Sequence, residues 1–426
     1  MNNLLKRELG VFGAVMMGLG SIIGTGVFVS IGIAAGITGP SVLLSIAIAG
    51  LVAMCNAFSS AQLAASHPVS GGTYEYGYKY LHPSLGFSAG WMFLCAKSAS
   101  AATAALGFSG YLLHACGLDP DLLVPIAAGT SIILTIVVLF GLKRSNTINT
   151  VIVCLTLLTL GAFVFAGMPT ALEHSTKNLE PFWPDWQGES IKDFLYATAL
   201  MFVAYTGYGR ITTLGEEIQE PRRNIPRAIV CTLIISSLLY MAIGYVSIAT
   251  VGSEALGLFT NSKAAPLEMV AVKFGIPGLH WLVAVGAMTA MLGVLLNLIL
   301  GLSRVLLAMG RRSDMPKATS RLNKNQSTPT VSVVIIGTIV TGLVCIGSVK
   351  VAWSFSAFTV LVYYAITNLA ALQLAKEDRI YPITCSWFGL IACLFLAFWI
   401  NWEIWVAGLT LILFGILWQT IMRHLH

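Results

Sequence analysis

Charge is what this sequence most lacks. Only 10% of its 426 residues are Asp, Glu, Lys or Arg, too few to cover the surface of a water-soluble protein of this length. The eight cysteines form no C-x-x-C pair and fall mostly inside apolar runs, so they read as small packing residues without a disulfide framework. Seven histidines show no H-E-x-x-H and no Cys/His cluster, which leaves a metal site without support and no cofactor expected. Apart from Glu216-Glu217 at the very end of the sixth run, the apolar runs hold no paired carboxylates and no set of histidines, so an intramembrane enzyme lacks the titratable cluster it would need. A formal net charge of +6 is spread among the connections, a poor match for a nucleic-acid surface.

What is present is apolar length. Hydrophobic residues make up 57% of the chain and mean hydropathy is +0.83. The apolar residues gather into runs of the length that crosses a bilayer as helix. Twelve such runs lie near 10–37, 40–66, 86–113, 122–142, 147–168, 190–218, 225–251, 278–310, 329–349, 351–375, 381–400 and 403–422. The longer connections, 67–85, 169–189, 252–277 and 311–328, are too short for a soluble domain. The expectation is an all-α membrane protein forming one domain over 1–426. The first run is too long for a cleaved signal peptide and lacks a small-residue cleavage site. With a cytoplasmic N-terminus, the inner side, counting connections, tails and the adjoining ends of the runs, carries 18 Lys and Arg residues and the outer side five. That bias places both termini in the cytoplasm and the chain in the cell membrane.

Two runs are weakened in the same way. Span 1 contains GSIIGTGVFVSIG (20–32) and span 6 contains FVAYTGYGRITTLGEE (202–217), so Gly24-Thr25-Gly26 matches Gly207-Tyr208-Gly209. Spans 1 and 6 are equivalent if two five-helix units repeat, and because five is odd the second unit is inverted. Glycine costs roughly 1 kcal/mol against alanine inside a helix. Backbone released from helical pairing is tolerated in a bilayer only where protein buries it or a polar cavity opens beside it. Matched interruptions in two halves therefore point to a transporter's midplane site, although Gly32-x-x-x-Gly36 and Gly86-x-x-x-Gly90 also suit close helix packing. Broken helices offer bare N–H groups to an anion and bare carbonyls to a cation. A zwitterion such as an α-amino acid satisfies both; a small cation or an organic acid satisfies one.

At this point the residues resemble the amino acid–polyamine–organocation (APC) superfamily with its LeuT-type fold. The resemblance is carried by IIGTGVF (22–28), PVSGGTYEYGY (68–78), GEEIQEPRRNIPRAI (215–229) and, more weakly, GLSRVLLAMGRRSDMP (301–316). It implies twelve transmembrane helices, with a first repeat over 10–168, an inverted second repeat over 190–375, and helices 11 and 12 over 381–422. It implies a permease or antiporter working by alternating access. It places a substrate carboxylate on Thr25 and Gly26, with Gly24 and Ile23 alongside, and an ammonium on the carbonyls of Ile22, Val203 and Thr206. Gly207 would mark the second break, Tyr205 and Tyr208 would flank the pocket, and Met288, with Met291, would add an apolar wall. Pro221 and Pro226 would close helix 6 and open helix 7.

Two departures bear on the energy source. Sodium-coupled relatives of this fold carry hydroxyls on span 8, where this chain reads Met291-Leu292-Gly293. Some proton-coupled relatives carry a lysine in span 5, where alignment puts Thr156. Transport is accordingly expected to be sodium-independent. One unexpected charge remains. Lys97 stands about eleven residues into span 3, roughly 16 Å deep, farther than the ~6 Å that its side chain can snorkel. An intramembrane lysine is by default functional, here either bracing the broken span 1 or carrying protons as the coupling ion. The competing readings are a non-transporting amino-acid sensor or membrane scaffold of the same fold, and a transporter of organic cations or polyamines.

Overall fold

The computed structural model describes residues 9–69, 71–140, 146–183, 187–213, 215, 217–323 and 328–424. Its first run is two helices, α1 (Val11–Ile22) and α2 (Ile31–Thr38), joined by a π-helical turn at Gly26–Ser30. Then come α3 (Val42–Ser66), the short α4 (Thr73–Tyr80), α5 (Pro83–Cys116), α6 (Leu123–Leu139) and α7 (Asn146–Asn178). The sixth run is also divided, into α8 (Glu189–Tyr205), a 3-10 turn at Thr206–Tyr208 and the four-residue α9 (Gly209–Thr212). After it lie α10 (Pro221–Val251), the short α11 (Ser253–Lys263) and α12 (Pro266–Val272), and then α13 (Leu279–Arg311). The chain closes with α14 (Thr330–Val344), α15 (Val349–Leu372), α16 (Ile383–Phe398) and α17 (Trp402–His424). No strand occurs among the described residues; a single bridge joins Leu9 and Ile218.

Among the described residues, seven helical stretches are long and apolar enough to cross a membrane, counting the broken Val11–Ser66 as one. α14 and α16 are apolar but shorter, at 15 and 16 residues. α5 is 34 residues long yet is not among the most apolar, because it is built from Ala, Ser and Gly. Burial explains this composition. Every residue from Ala96 to Gly107 is buried, with α13 and α15 packed along the helix. The innermost helix needs small residues for close approach. The peripheral helices instead turn large apolar side chains outward, Ile133 on α6, Leu158 and Phe165 on α7, Leu413 on α17, as a bilayer-facing surface requires.

Three elements depart from expectation. α7 continues past Pro169 to Asn178 and absorbs half of a connection expected to be loop. α10 begins at Pro221, which takes the first-turn position where a missing N–H costs nothing. Pro226 therefore lies inside this helix and does not precede it. The second part of span 6 ends at Thr212, well short of residue 218.

The two halves of the first run are anchored to different partners. On the N-terminal side, Leu9 N–H donates to Glu217 C=O (3.0 Å) and Gln219 N–H donates to Leu9 C=O (2.9 Å). The second half, α2, lies against α11 so closely that a Cβ on Gly36 would stand 2.9 Å from the Gly257 Cα. Here Gly32-x-x-x-Gly36 is a packing motif. Tyr111 ties the neighbouring turn to α12: its hydroxyl donates to Phe28 C=O (2.9 Å) and accepts from Leu267 N–H (3.2 Å).

At the end of α13 opposite α12, two of the sequence motifs meet. Tyr74 and Tyr78 of α4 both donate their hydroxyls to the Asp314 carboxylate, the first at 2.7 Å. Arg312 pairs with Glu75 and stacks over the Tyr78 ring, 4.3 Å from its centroid. Burial pushes the Glu75 carboxyl above its ordinary value, with Arg312 opposing. Asp314 is itself buried, so its charge depends on those donors. Asp314→Ala removes the acceptor of two tyrosines and should destabilise the protein by about 2–4 kcal/mol. Thermal unfolding in detergent measures this, and Asp314→Asn, which retains an oxygen, should lose less.

Candidate functional site

Helices resume on either side of the first break without overlapping. Ile23, turned extended at φ −82° and ψ 100°, is the last residue to donate back along α1, to Leu19 C=O at 2.7 Å. The next ladder starts with Val27 and Phe28 N–H donating to Gly24 C=O, both at 3.1 Å. The N–H groups of Gly24, Thr25 and Gly26 fall between the two ladders. Beside them the Thr25 hydroxyl is buried at 3% exposure without a hydrogen-bond partner among the described residues. A buried hydroxyl with nothing to bond is uncommon in native structures. Clustered N–H groups with a hydroxyl form a concave donor site suited to a carboxylate.

The carbonyl side is already occupied by the protein's own hydroxyls. Tyr240 of α10 places its hydroxyl 2.9 Å from Ile22 C=O and 3.1 Å from Ala204 C=O, between the two broken runs. Tyr364 of α15 donates to Thr206 C=O at 3.2 Å, and the Thr206 hydroxyl turns back to Val203 C=O at 2.8 Å. Each carbonyl expected to meet an ammonium thus has a hydroxyl partner, as buried backbone oxygen in a bilayer demands.

The glycines at the breaks have a second reason to be glycine. A Cβ on Gly207 would stand 2.4 Å from the Ser21 carbonyl, one on Gly26 2.9 Å from both Ala204 Cβ and Tyr240 Oη, and one on Gly24 2.6 Å from Val294 Cγ2. The broken runs cross in contact, so unwinding and close packing coincide at the same residues.

Some expected residues lie elsewhere. Tyr205 and Tyr208 do not flank one pocket. Tyr205 donates to Ile46 C=O on α3 (3.2 Å) and packs on Tyr240, whereas Tyr208 packs on Tyr364 of α15. The span 8 residues nearest the first break are Val294, against Gly24, and Met291, whose sulfur packs on Gly107 beside Val29. Met288 is half-buried one turn earlier. Thr156 is buried and donates to Ile152 C=O within its own helix (2.8 Å). On span 5, Asn149 and Val153 lie against Gly20 of α1, and Asn149 donates to Met16 C=O (2.8 Å). Lys97 reaches the second break, not the first. Its ammonium donates to Thr206 Oγ1 at 2.9 Å.

Sequence reasoning missed Tyr240 and Tyr364. Their signal was present: a tyrosine deep in an apolar span usually has a hydroxyl partner when buried. The partner, a carbonyl freed in another helix, becomes visible only with the helices assembled.

Known proteins place the chain. It is 38% identical over 402 residues to an uncharacterized transporter of Mycobacterium tuberculosis, covering 92% of this chain and 86% of that one. It is 26% identical to the branched-chain amino acid permease BcaP of Bacillus subtilis, over 97% of this chain and 92% of that one. It is 27% identical to the vacuolar cationic amino acid transporter 4 of Arabidopsis thaliana, over 80% of this chain and 58% of that one. The family model for amino acid permeases matches residues 13–424. With its broken apolar helices and transporter relatives, the chain is a multi-pass membrane protein of the amino acid permease family, within the APC superfamily, and not an enzyme.

Proposed function

We propose that the protein is a secondary active transporter that carries an α-amino acid across the cytoplasmic membrane by alternating access, with both termini inside. The observation that carries this reading is the gap at Gly24–Gly26. Its N–H groups and the orphan Thr25 hydroxyl suit an α-carboxylate. Across the crossing, the carbonyls of Ile22 and Ala204 straddle the Tyr240 hydroxyl at the place an α-ammonium would take. The inverted repeat is supported by helix pairing: α3 packs on α10 and α5 on α13, spans 2 with 7 and 3 with 8. These are equivalent places in the two halves.

The driving ion is not sodium. The span 8 side of the first break presents the methyl groups of Val294 and the buried Met291, which offer no hard oxygen to a cation that requires several.

In proteoliposomes the purified protein should accumulate or exchange a radiolabelled amino acid, and replacing Na⁺ by choline at constant pH should leave the rate unchanged. Gly26→Leu should abolish uptake, although its clash with Ala204 alone would do so. Thr25→Val is the cleaner test: it keeps the shape, removes the orphan hydroxyl and should weaken substrate binding ~10-fold, about 1.4 kcal/mol. Wild-type affinity in Thr25→Val would remove the carboxylate from this site.

A further inference from the structure

Resting on that reading of the site, we propose that Lys97 receives a second carboxylate, carried on the substrate's side chain, so that the preferred cargo is an acidic amino acid.

Lys97 brings an ammonium with no counter-ion among the described residues. Lys97 lies within the stretch of α5 that is wholly buried and is itself only 9% exposed. It takes part in none of the ion pairs among the described residues. Two carboxylates of the described chain are buried, and both are held elsewhere. Glu268 on α12 faces His114 at 2.9 Å, and Asp314 beyond α13 accepts from Tyr74 and Tyr78. A buried charge without a partner is strongly unfavourable, and a lysine head has three N–H donors to place. One is placed, on Thr206 Oγ1.

Position supplies the second half. Thr206 opens the 3-10 turn of the second break, and the next residue, Gly207, packs directly on Ser21 and Ile22 of α1. The lysine head is therefore one hydroxyl from the crossing where an α-carboxylate and an α-ammonium would be held. A side chain that leaves the crossing towards α5 meets this ammonium. An anionic one forms a charge-assisted hydrogen bond in a water-poor setting. A cationic one faces like charge at short range, and a neutral one leaves the ammonium as unpaired as before. The chain thus selects against basic amino acids with the same residue that selects for acidic ones.

The experiment uses the full-length protein in proteoliposomes. Labelled uptake is competed with glutamate and aspartate, with their isosteric amides glutamine and asparagine, and with lysine and arginine. It is run on wild type, Lys97→Met and Lys97→Arg. The expected result is at least ~10-fold preference for each acid over its amide in wild type, basic amino acids weakest of all, the preference retained in Lys97→Arg and erased in Lys97→Met, with amide uptake surviving. If Lys97→Met does not fold, the wild-type panel decides alone. Preference for neutral or basic amino acids would overturn the Lys97 assignment and leave amino-acid transport standing. So would uptake that ignores side-chain charge but requires chloride, since a free anion would then be the partner of the lysine. Absence of uptake or binding for every amino acid would overturn both readings.

Discussion

A backbone carbonyl stripped of its helical partner within a bilayer can be satisfied only by its own protein or by cargo. That constraint organises the centre of this molecule. Two helices are broken where they cross, and the backbone oxygens around the breaks draw hydroxyls from four directions: Tyr240 from α10, Tyr364 from α15, Thr206 from the turn itself and Ser30 from the π-helical turn, which donates to Gly26 C=O. The cost of unpaired backbone in hydrocarbon is several kcal/mol per group. These side chains are therefore part of the reason that the breaks can exist at all. The N–H side is treated differently. It is left beside a hydroxyl that nothing in the described chain satisfies. This asymmetry, carbonyls capped and amides open, gives the crossing its chemical polarity.

Much of the plan was legible in the residues. Scarcity of charge established a membrane protein, and the G-x-G pair located both interruptions to within a residue or two, at Ile23–Gly24 and Thr206–Tyr208. Glycine is expensive in a helix, so its repetition at matched places carries information. The side chains were harder. Tyr205 and Tyr208 sit beside the second break in sequence, but the change from α-helix to 3-10 turn between them sends one towards α3 and the other towards α15. Met288 and Val294 lie on the same helix, and only packing against Gly24 singles out Val294. Lys97 was recognisable as out of place, but span 3 passes both broken runs, and sequence could not say which of them its flexible stem would follow.

The PVSGGTYEYGY and RRSDMP segments teach a related lesson. In the sequence each stands alone as a mark of the family. Neither spacing nor periodicity could reveal that Tyr74 and Tyr78, one helical turn apart on α4, face Asp314 together from more than 200 positions away. Such pairings are long-range facts. The sequence holds their parts but not their meeting.

The attachments of the first run carry a mechanical consequence. Its first half answers to the segment after α9 through the Leu9 bridge. Its second half is pressed glycine to glycine on α11, and Tyr111 hitches the turn at Phe28 to α12. The break at Gly24 is thus a joint between two levers with separate handles. The pair α11 and α12 reaches the crossing through α2 and the turn at Phe28, while the Leu9 bridge reaches it through α1. What the sequence writes as one span is held as two pieces, each with an anchor of its own.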